Sequence, residues 1–209
     1  MKRLGILLSG RGSNFLAIHQ AIADGRLAGA VIAVVLSNKA DAPGLAAARA
    51  LGLPALHIPV AGRTPVERDL EFVALLQQYG VDLVCLAGYM RMISPQFVEA
   101  FPNRILNVHP SLLPSFPGLD AQGQALEFGA KVAGCTVHFV DEVMDHGVII
   151  LQREVPVLND DTDATLSARI LVEEHQAYPK AIGRVLSGEY EICGRRFLKK
   201  TGPTSDLRG

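Results

Sequence analysis

Cysteine is scarce in this chain of 209 residues: there are three, at positions 85, 135 and 193, and none form a C-x-x-C pair. An odd number of widely spaced thiols argues against a disulfide framework and against a zinc knuckle, and fits a reducing cytoplasm. An excess of one charge is also missing. Twenty basic residues face 21 acidic ones, which argues against a general binder of nucleic acid or of anionic membranes. An anionic ligand must then be met locally. Long apolar runs are absent too, since none approaches the roughly 20 residues that a membrane helix needs. The start, MKRLGILLSGRGSN, has the basic flank of a secretory signal, but Ser9, Gly10, Arg11 and Gly12 interrupt the apolar run and leave a first strand instead.

What remains is a sequence that is 49% hydrophobic, long enough to bury a sizeable core in one domain. Short apolar runs at 4–8, 31–36, 55–58, 83–86 and 105–108 alternate with amphipathic segments. That alternation predicts βαβ repetition, with a mostly parallel sheet covered by helices on both faces. Thr64-Pro65-Val66-Glu67 opens the clearest helix, because it combines a cap, a first-turn proline and a capping box. Val66, Leu70, Val73 and Leu76 are its expected buried stripe. Beyond residue 120, GCTVHFV (134–140) and GVIILQREVPV (147–157) predict an antiparallel C-terminal strand pair. A long helix is expected over roughly 164–186, broken or kinked near Pro179, then a polar tail at about 199–209.

In an open parallel sheet ligands bind beyond the carboxyl ends of the strands, so the loops after Leu8, Leu86 and Val108 should converge. The first, SGRGSN (9–14), joins a strand to a helix. Glycines there let a backbone approach closely, and unpaired N–H groups at the helix start favour a phosphate. A dinucleotide fingerprint fits poorly, because its third glycine would fall at Phe15. A monophosphate suits the loop better; the alternative is an ordinary βα turn capped by Ser13 or Asn14.

The third loop begins NVHPSLLPSFPG (107–118). Residues two apart on a strand point the same way, so Asn107 and His109 share a face, and Pro110, Pro114 and Pro117 stiffen the segment on their carboxyl side. No serine or cysteine nucleophile accompanies them. An amide that donates to an oxyanion and an imidazole that moves a proton suit acyl transfer to a nucleophile that the substrate brings itself. The alternative is a core histidine beside a turn-forming asparagine. DEVMDHGVI (141–149) offers carboxylates between the two later strands. A carboxylate beside an imidazole favours the charged ring, and Asp145 is the candidate, unless these acids are a solvated hairpin tip. Zinc at His109, His138, Asp145 and His146 is disfavoured, because no pair has ligand spacing. His138, in an apolar strand, is read as a packed histidine. In LAGYMRMI (86–93), Met90, Met92 and Ile93 around Arg91 suit a flat heterocycle, or equally a core.

Taken together, SGRGSN, LAGYMRMISP, NVHPSLLPSFPG and VDEVMDHGVIILQ resemble the glycinamide ribonucleotide formyltransferase family of purine biosynthesis, in order and spacing, from about residue 3 to residue 190. The resemblance implies a Rossmann-like α/β fold over one domain, 1–209, with a phosphate-binding half at about 1–100 and a folate and catalytic half at about 101–190. It also implies formyl transfer from 10-formyltetrahydrofolate to an amine, without a metal and without a covalent enzyme intermediate. By the same resemblance Asn107, His109 and Asp145 are the catalytic trio. Gly12, Ser13 and Asn14, with Leu171, Val172, Glu173 and Glu174, hold the ribonucleotide. Met90, Arg91, Met92 and Ile93, with Asp141, Glu142, Val143 and Met144, form the folate pocket, and Arg63 corresponds loosely to a folate-contacting arginine. Where family members usually carry a histidine before Q-A-L, this chain has Gln122. The expected partners are small molecules, in a cytoplasmic monomer or homodimer. The alternatives are a formyltetrahydrofolate hydrolase, a methionyl-tRNA formyltransferase, a phosphate- or folate-binding module without turnover, and a nicotinamide oxidoreductase.

Overall fold

The structure, a computed structural model, describes residues 1–200. Nine strands form one sheet in the order β3-β2-β1-β4-β5-β6-β7-β9-β8. The parallel part comprises β1 (Lys2–Leu8), β2 (Ala30–Ser37), β3 (Ala55–His57), β4 (Leu83–Leu86) and β5 (Ile105–His109). These are the runs expected from the sequence. β6 (Val132–Phe139) and β7 (Ile149–Pro156) form the expected antiparallel pair, and β6 also pairs antiparallel with β5. A second hairpin, β8 (Tyr190–Cys193) with β9 (Arg196–Lys199), joins the edge beside β7 and is not among the expected elements. Lys199 therefore closes a strand, and the expected polar tail lies, from residue 201 on, outside the described residues.

Alternation along the strands fills two cores, one on each face. Leu4, Ile6 and Leu8 of β1 pack with Phe15 and Ile18 of α1 (Ser13–Ala23), Leu45 of α2 (Pro43–Ala50), and Ile170 and Tyr178 of α6 (Asp163–Leu186). Leu7 points the other way, toward Phe72 and Leu76 of α3 (Pro65–Gln78) and Phe97 of α4 (Pro95–Ala100). α5 (Ala121–Phe128) precedes β6. Among the described residues no helix is long and apolar enough to cross a membrane.

One expectation about helices needs correction, and a second is narrowed. The capping box at Thr64 and Glu67 is present, but the buried face of α3 consists of Arg68, Asp69, Phe72, Val73 and Leu76, whereas Val66 and Leu70 are exposed. Charged side chains took the inward positions because each finds a partner there. α6 runs continuously through Pro179, which removes the break and leaves the kink as the other form of that expectation. The proline lacks an N–H to give the turn before it, and burial of Ala177, Tyr178, Pro179, Ala181 and Ile182 carries the helix past it.

Candidate active site

Chain order reverses between β1 and β4: β1, β2 and β3 run toward one edge, and β4 lies on the other side of β1. Such a switch point leaves a crevice beyond the carboxyl ends of the strands. Ser9, at the end of β1, joins its two walls. Its N–H donates to the Gly88 carbonyl at 3.0 Å, and its Oγ accepts the Met90 N–H at 2.9 Å while donating to Asn38 Oδ1 at 2.6 Å.

Gly12 occupies the N-cap position of α1 at φ 74, and no side chain caps that helix. A Cβ on Gly12 would come within 2.9 Å of the Gly44 backbone, so only glycine lets the starts of α1 and α2 meet. Neither Ser13 nor Asn14 serves as the cap. Asn14 instead turns its amide to Glu174 on α6, with Nδ2 donating to Oε2 at 2.7 Å across 160 positions of sequence. Both are buried, and burial pushes the Glu174 carboxyl up to about 7 against the opposing effect of the Asn14 hydrogen bond. The uncapped N–H groups at the start of α1 thus form an anion-attracting dipole end, with a carboxyl alongside. Of the neighbouring α6 positions, Leu171 is half-buried, Val172 is exposed, and Glu173 is paired with Arg153.

Across the sheet, Asn107 pairs with Leu86 on one side and with His138 on the other. His109 is buried, and its Nε2 lies 2.9 Å from the Phe116 carbonyl. A carbonyl only accepts, so Nε2 carries a proton. Nδ1 faces Asp145 Oδ2 at 3.4 Å, and with both nitrogens protonated each has an acceptor. Asp145, with a side chain 10% exposed, also takes the Gly118 N–H at 2.8 Å. The carboxylate therefore ties the imidazole to the proline-rich segment. That segment is braced from below: Thr136 Oγ1 donates to the Ser111 carbonyl at 2.7 Å and accepts the Leu113 N–H at 3.0 Å, and Gln152 Nε2 donates to the Leu113 carbonyl at 2.8 Å. Phe116 and Asp145 both hold φ near +50 (53 and 52), a region uncommon outside glycine. Beside Asp145 opens a cavity of about 390 Å³ walled by Leu113, Pro114 and Ile149, with Arg195 at its rim.

His138 is packed, as its place in an apolar strand implied. It is buried, but it faces polar groups: Nδ1 donates to the Phe139 carbonyl at 2.7 Å, and Nε2 lies 3.4 Å from Asn107 Nδ2 and 3.8 Å from Asp145 Oδ1. Burial lowers its pKa and keeps the ring neutral. With Nδ1 protonated, Nε2 is an acceptor, which orients the Asn107 amide with its N–H groups inward. The signal in the sequence was Thr136 and His138 alternating as polar residues within an apolar strand; Ser9 and Gln152 lie within SGRGSN and VDEVMDHGVIILQ, but nothing there points to the bonds they make.

Met90, Arg91, Met92 and Ile93 lie on the segment between β4 and α4, with Met90 67% and Met92 58% exposed. Asp141, Glu142, Val143 and Met144 occupy the turn between β6 and β7, where Asp141 takes the Val143 N–H and pairs with His146. Arg63 sits ahead of α3, where Glu71 takes its guanidinium. Gln122 lies in the first turn of α5.

Known proteins share this architecture. The profile of the Formyl transferase family matches residues 2–182. The phosphoribosylglycinamide formyltransferase of Escherichia coli (strain K12) is 42% identical over 189 residues, covering 90% of this chain and 88% of that protein. The trifunctional purine biosynthetic protein adenosine-3 of Drosophila melanogaster is 45% identical over 191 residues, but these are 90% of this chain and only 14% of that protein. This chain thus spans a small fraction of the trifunctional relatives it matches. The crystal structure of glycinamide ribonucleotide transformylase 1 from Symbiobacterium toebii superposes with a TM-score of 0.93 at 53% identity, covering 96% of this chain and 95% of that one. With its pattern matched over nearly its whole described length and its fold shared, the chain belongs to the formyl transferase family.

Proposed function

We propose that the chain transfers a formyl group from 10-formyltetrahydrofolate to the amine of glycinamide ribonucleotide; the names of its relatives give formyl transfer to that ribonucleotide for them. The observation that carries this reading is the contact between His109 and Asp145, with Asn107 on the same strand face. The uncapped start of α1 suits the phosphate of the ribonucleotide, and Glu174 suits its hydroxyls. The exposed thioethers of Met90 and Met92 suit the flat pterin.

In this mechanism the amine nitrogen attacks the formyl carbon. A new C–N bond forms, and the carbonyl electron pair moves onto oxygen. Asn107 donates an amide N–H to that oxygen, its orientation fixed by the His138 acceptor. His109, charged and held by Asp145, gives a proton to N10 of the folate as the C–N10 bond breaks. The attacking nitrogen sheds the compensating proton, which restores the imidazolium.

The test is to mix the protein with 10-formyltetrahydrofolate, with and without glycinamide ribonucleotide, and to follow tetrahydrofolate. Release only with the ribonucleotide is the expected result. Release without it indicates hydrolysis, and no release in either mixture leaves a binding module. In a competent enzyme His109→Ala and Asn107→Ala should each lower kcat by about a hundredfold or more, the scale of losing a proton donor or one oxyanion contact, with circular dichroism unchanged.

A further inference from the structure

We propose that Arg68 and Asp69 of α3 are positioning residues for the folate co-substrate, acting through the backbone of the segment between β4 and α4. This rests on the reading above, in which that segment lines the folate pocket. The two residues are adjacent in sequence and almost wholly buried, their side chains 7% and 1% exposed. Arg68 Nε donates to Asp69 Oδ1 at 2.7 Å. The rest of each side chain reaches across to the segment: Arg68 Nη2 donates to the Met92 carbonyl at 2.7 Å, and Asp69 Oδ2 accepts the Ser94 N–H at 2.5 Å.

A buried ion pair is a costly way to pack a helix against a connecting segment. Apolar residues of similar volume usually do as well or better, because desolvating two charges consumes most of their attraction. What apolar residues cannot supply is a fixed donor and a fixed acceptor for backbone groups that have no strand or helix partner. The carbonyl of Met92 and the amide of Ser94 are such groups, two residues apart on an irregular stretch.

The side chains of that stretch do not hold it down themselves. Met90 and Met92 leave most of their surface in water, so burial of their thioethers does not fix the path of the chain between them. Its near end is anchored by Tyr89, edge-on to Phe72 at 5.6 Å between ring centroids, and by the Met90 N–H bond to Ser9. Its far end depends on Arg68 and Asp69. The pair fixes the backbone from the protein side, which leaves the methionine side chains presented to the crevice. Pre-ordering a loop in this way lowers the ordering cost that a ligand must otherwise meet.

Asp69→Asn keeps the shape but removes the charge, and Arg68→Lys keeps the charge but loses the fork that serves Asp69 and Met92 together. The enzyme and both variants are compared by KM for each substrate, kcat, thermal midpoint, and hydrogen exchange at the Ser94 amide in the free protein. The expected result in both variants is a KM for 10-formyltetrahydrofolate raised about tenfold, the scale of one charge-assisted hydrogen bond. The KM for glycinamide ribonucleotide and kcat at saturation should stay within about twofold, and Ser94 exchange should accelerate. A lowered thermal midpoint with all kinetic constants unchanged overturns the proposal, because the pair would then serve packing alone. A fall in kcat with both KM values unchanged overturns it as well. Should Asp69→Asn fail to fold, Arg68→Lys decides by the same readings. An unsubstituted chain that yields no tetrahydrofolate sinks the functional reading itself, whereas an active one whose variants bind folate normally sinks only this proposal.

Discussion

Glu174 carries an acid group in a place that resists its charge. It is buried on α6 with Asn14 as hydrogen-bond partner, and burial pushes its pKa from 4.5 to about 7. A carboxyl raised in this way holds its proton longer when folded than when unfolded. Stability is therefore greatest below the unfolded value of 4.5 and is lost as pH rises through the folded value near 7. Each pKa unit corresponds to about 1.4 kcal/mol, so this group can remove up to about 3 kcal/mol between pH 4.5 and pH 8. Glu174→Gln should abolish that slope: urea titrations at pH 5 and pH 8 are expected to show the variant gaining on the parent only at the higher pH. Under the proposed function the same substitution should also raise the KM for the ribonucleotide, because an amide offers a weaker acceptor than a carboxylate to a sugar hydroxyl.

The turn between β6 and β7 brings Asp145 to His109, and its geometry depends on Gly147. A Cβ there would overlap the Phe139 carbonyl oxygen, a backbone atom that cannot swing aside. Gly147→Ala should shift the turn, separate Asp145 from the imidazole, and cost more than about tenfold in kcat, with a lower thermal midpoint as the companion measurement. The strands that frame this turn were legible in the sequence, because apolar runs of four to eight residues between turn formers report burial directly. The shared face of Asn107 and His109 was legible for the same reason, since a period of two is fixed by strand geometry. The inner face of α3 was not. Hydrophobicity selects Val66 and Leu70, and nothing local reveals that Arg68 and Asp69 find their partners at Met92 and Ser94, more than twenty positions away. His138 hid its surroundings through the same gap: a lone histidine in an apolar strand shows its burial but not that Asn107 stands opposite. The hairpin of β8 and β9 escaped because its residues are mostly exposed, leaving little pattern to read.

At the scale of the molecule, α6 fastens the two parts of the sheet on which the crevice rests. Tyr178 is fully buried, and its hydroxyl lies 3.1 Å from the Leu86 carbonyl and 2.9 Å from the Leu106 carbonyl, on neighbouring strands β4 and β5. Tyr178→Phe removes a donor that two acceptors share and should cost about 1 to 3 kcal/mol. It should appear as a lower urea midpoint with an unchanged m-value, because the surface exposed on unfolding stays the same. The bond from Asn14 to Glu174 extends the same helix to the opposite wall. During synthesis the glycine turn leaves the ribosome early, yet its partner arrives 160 residues later. A nascent chain that has not yet released α6 can collapse around β1 while the glycine turn still lacks its acceptor, so this wall of the crevice is completed only once that helix has emerged.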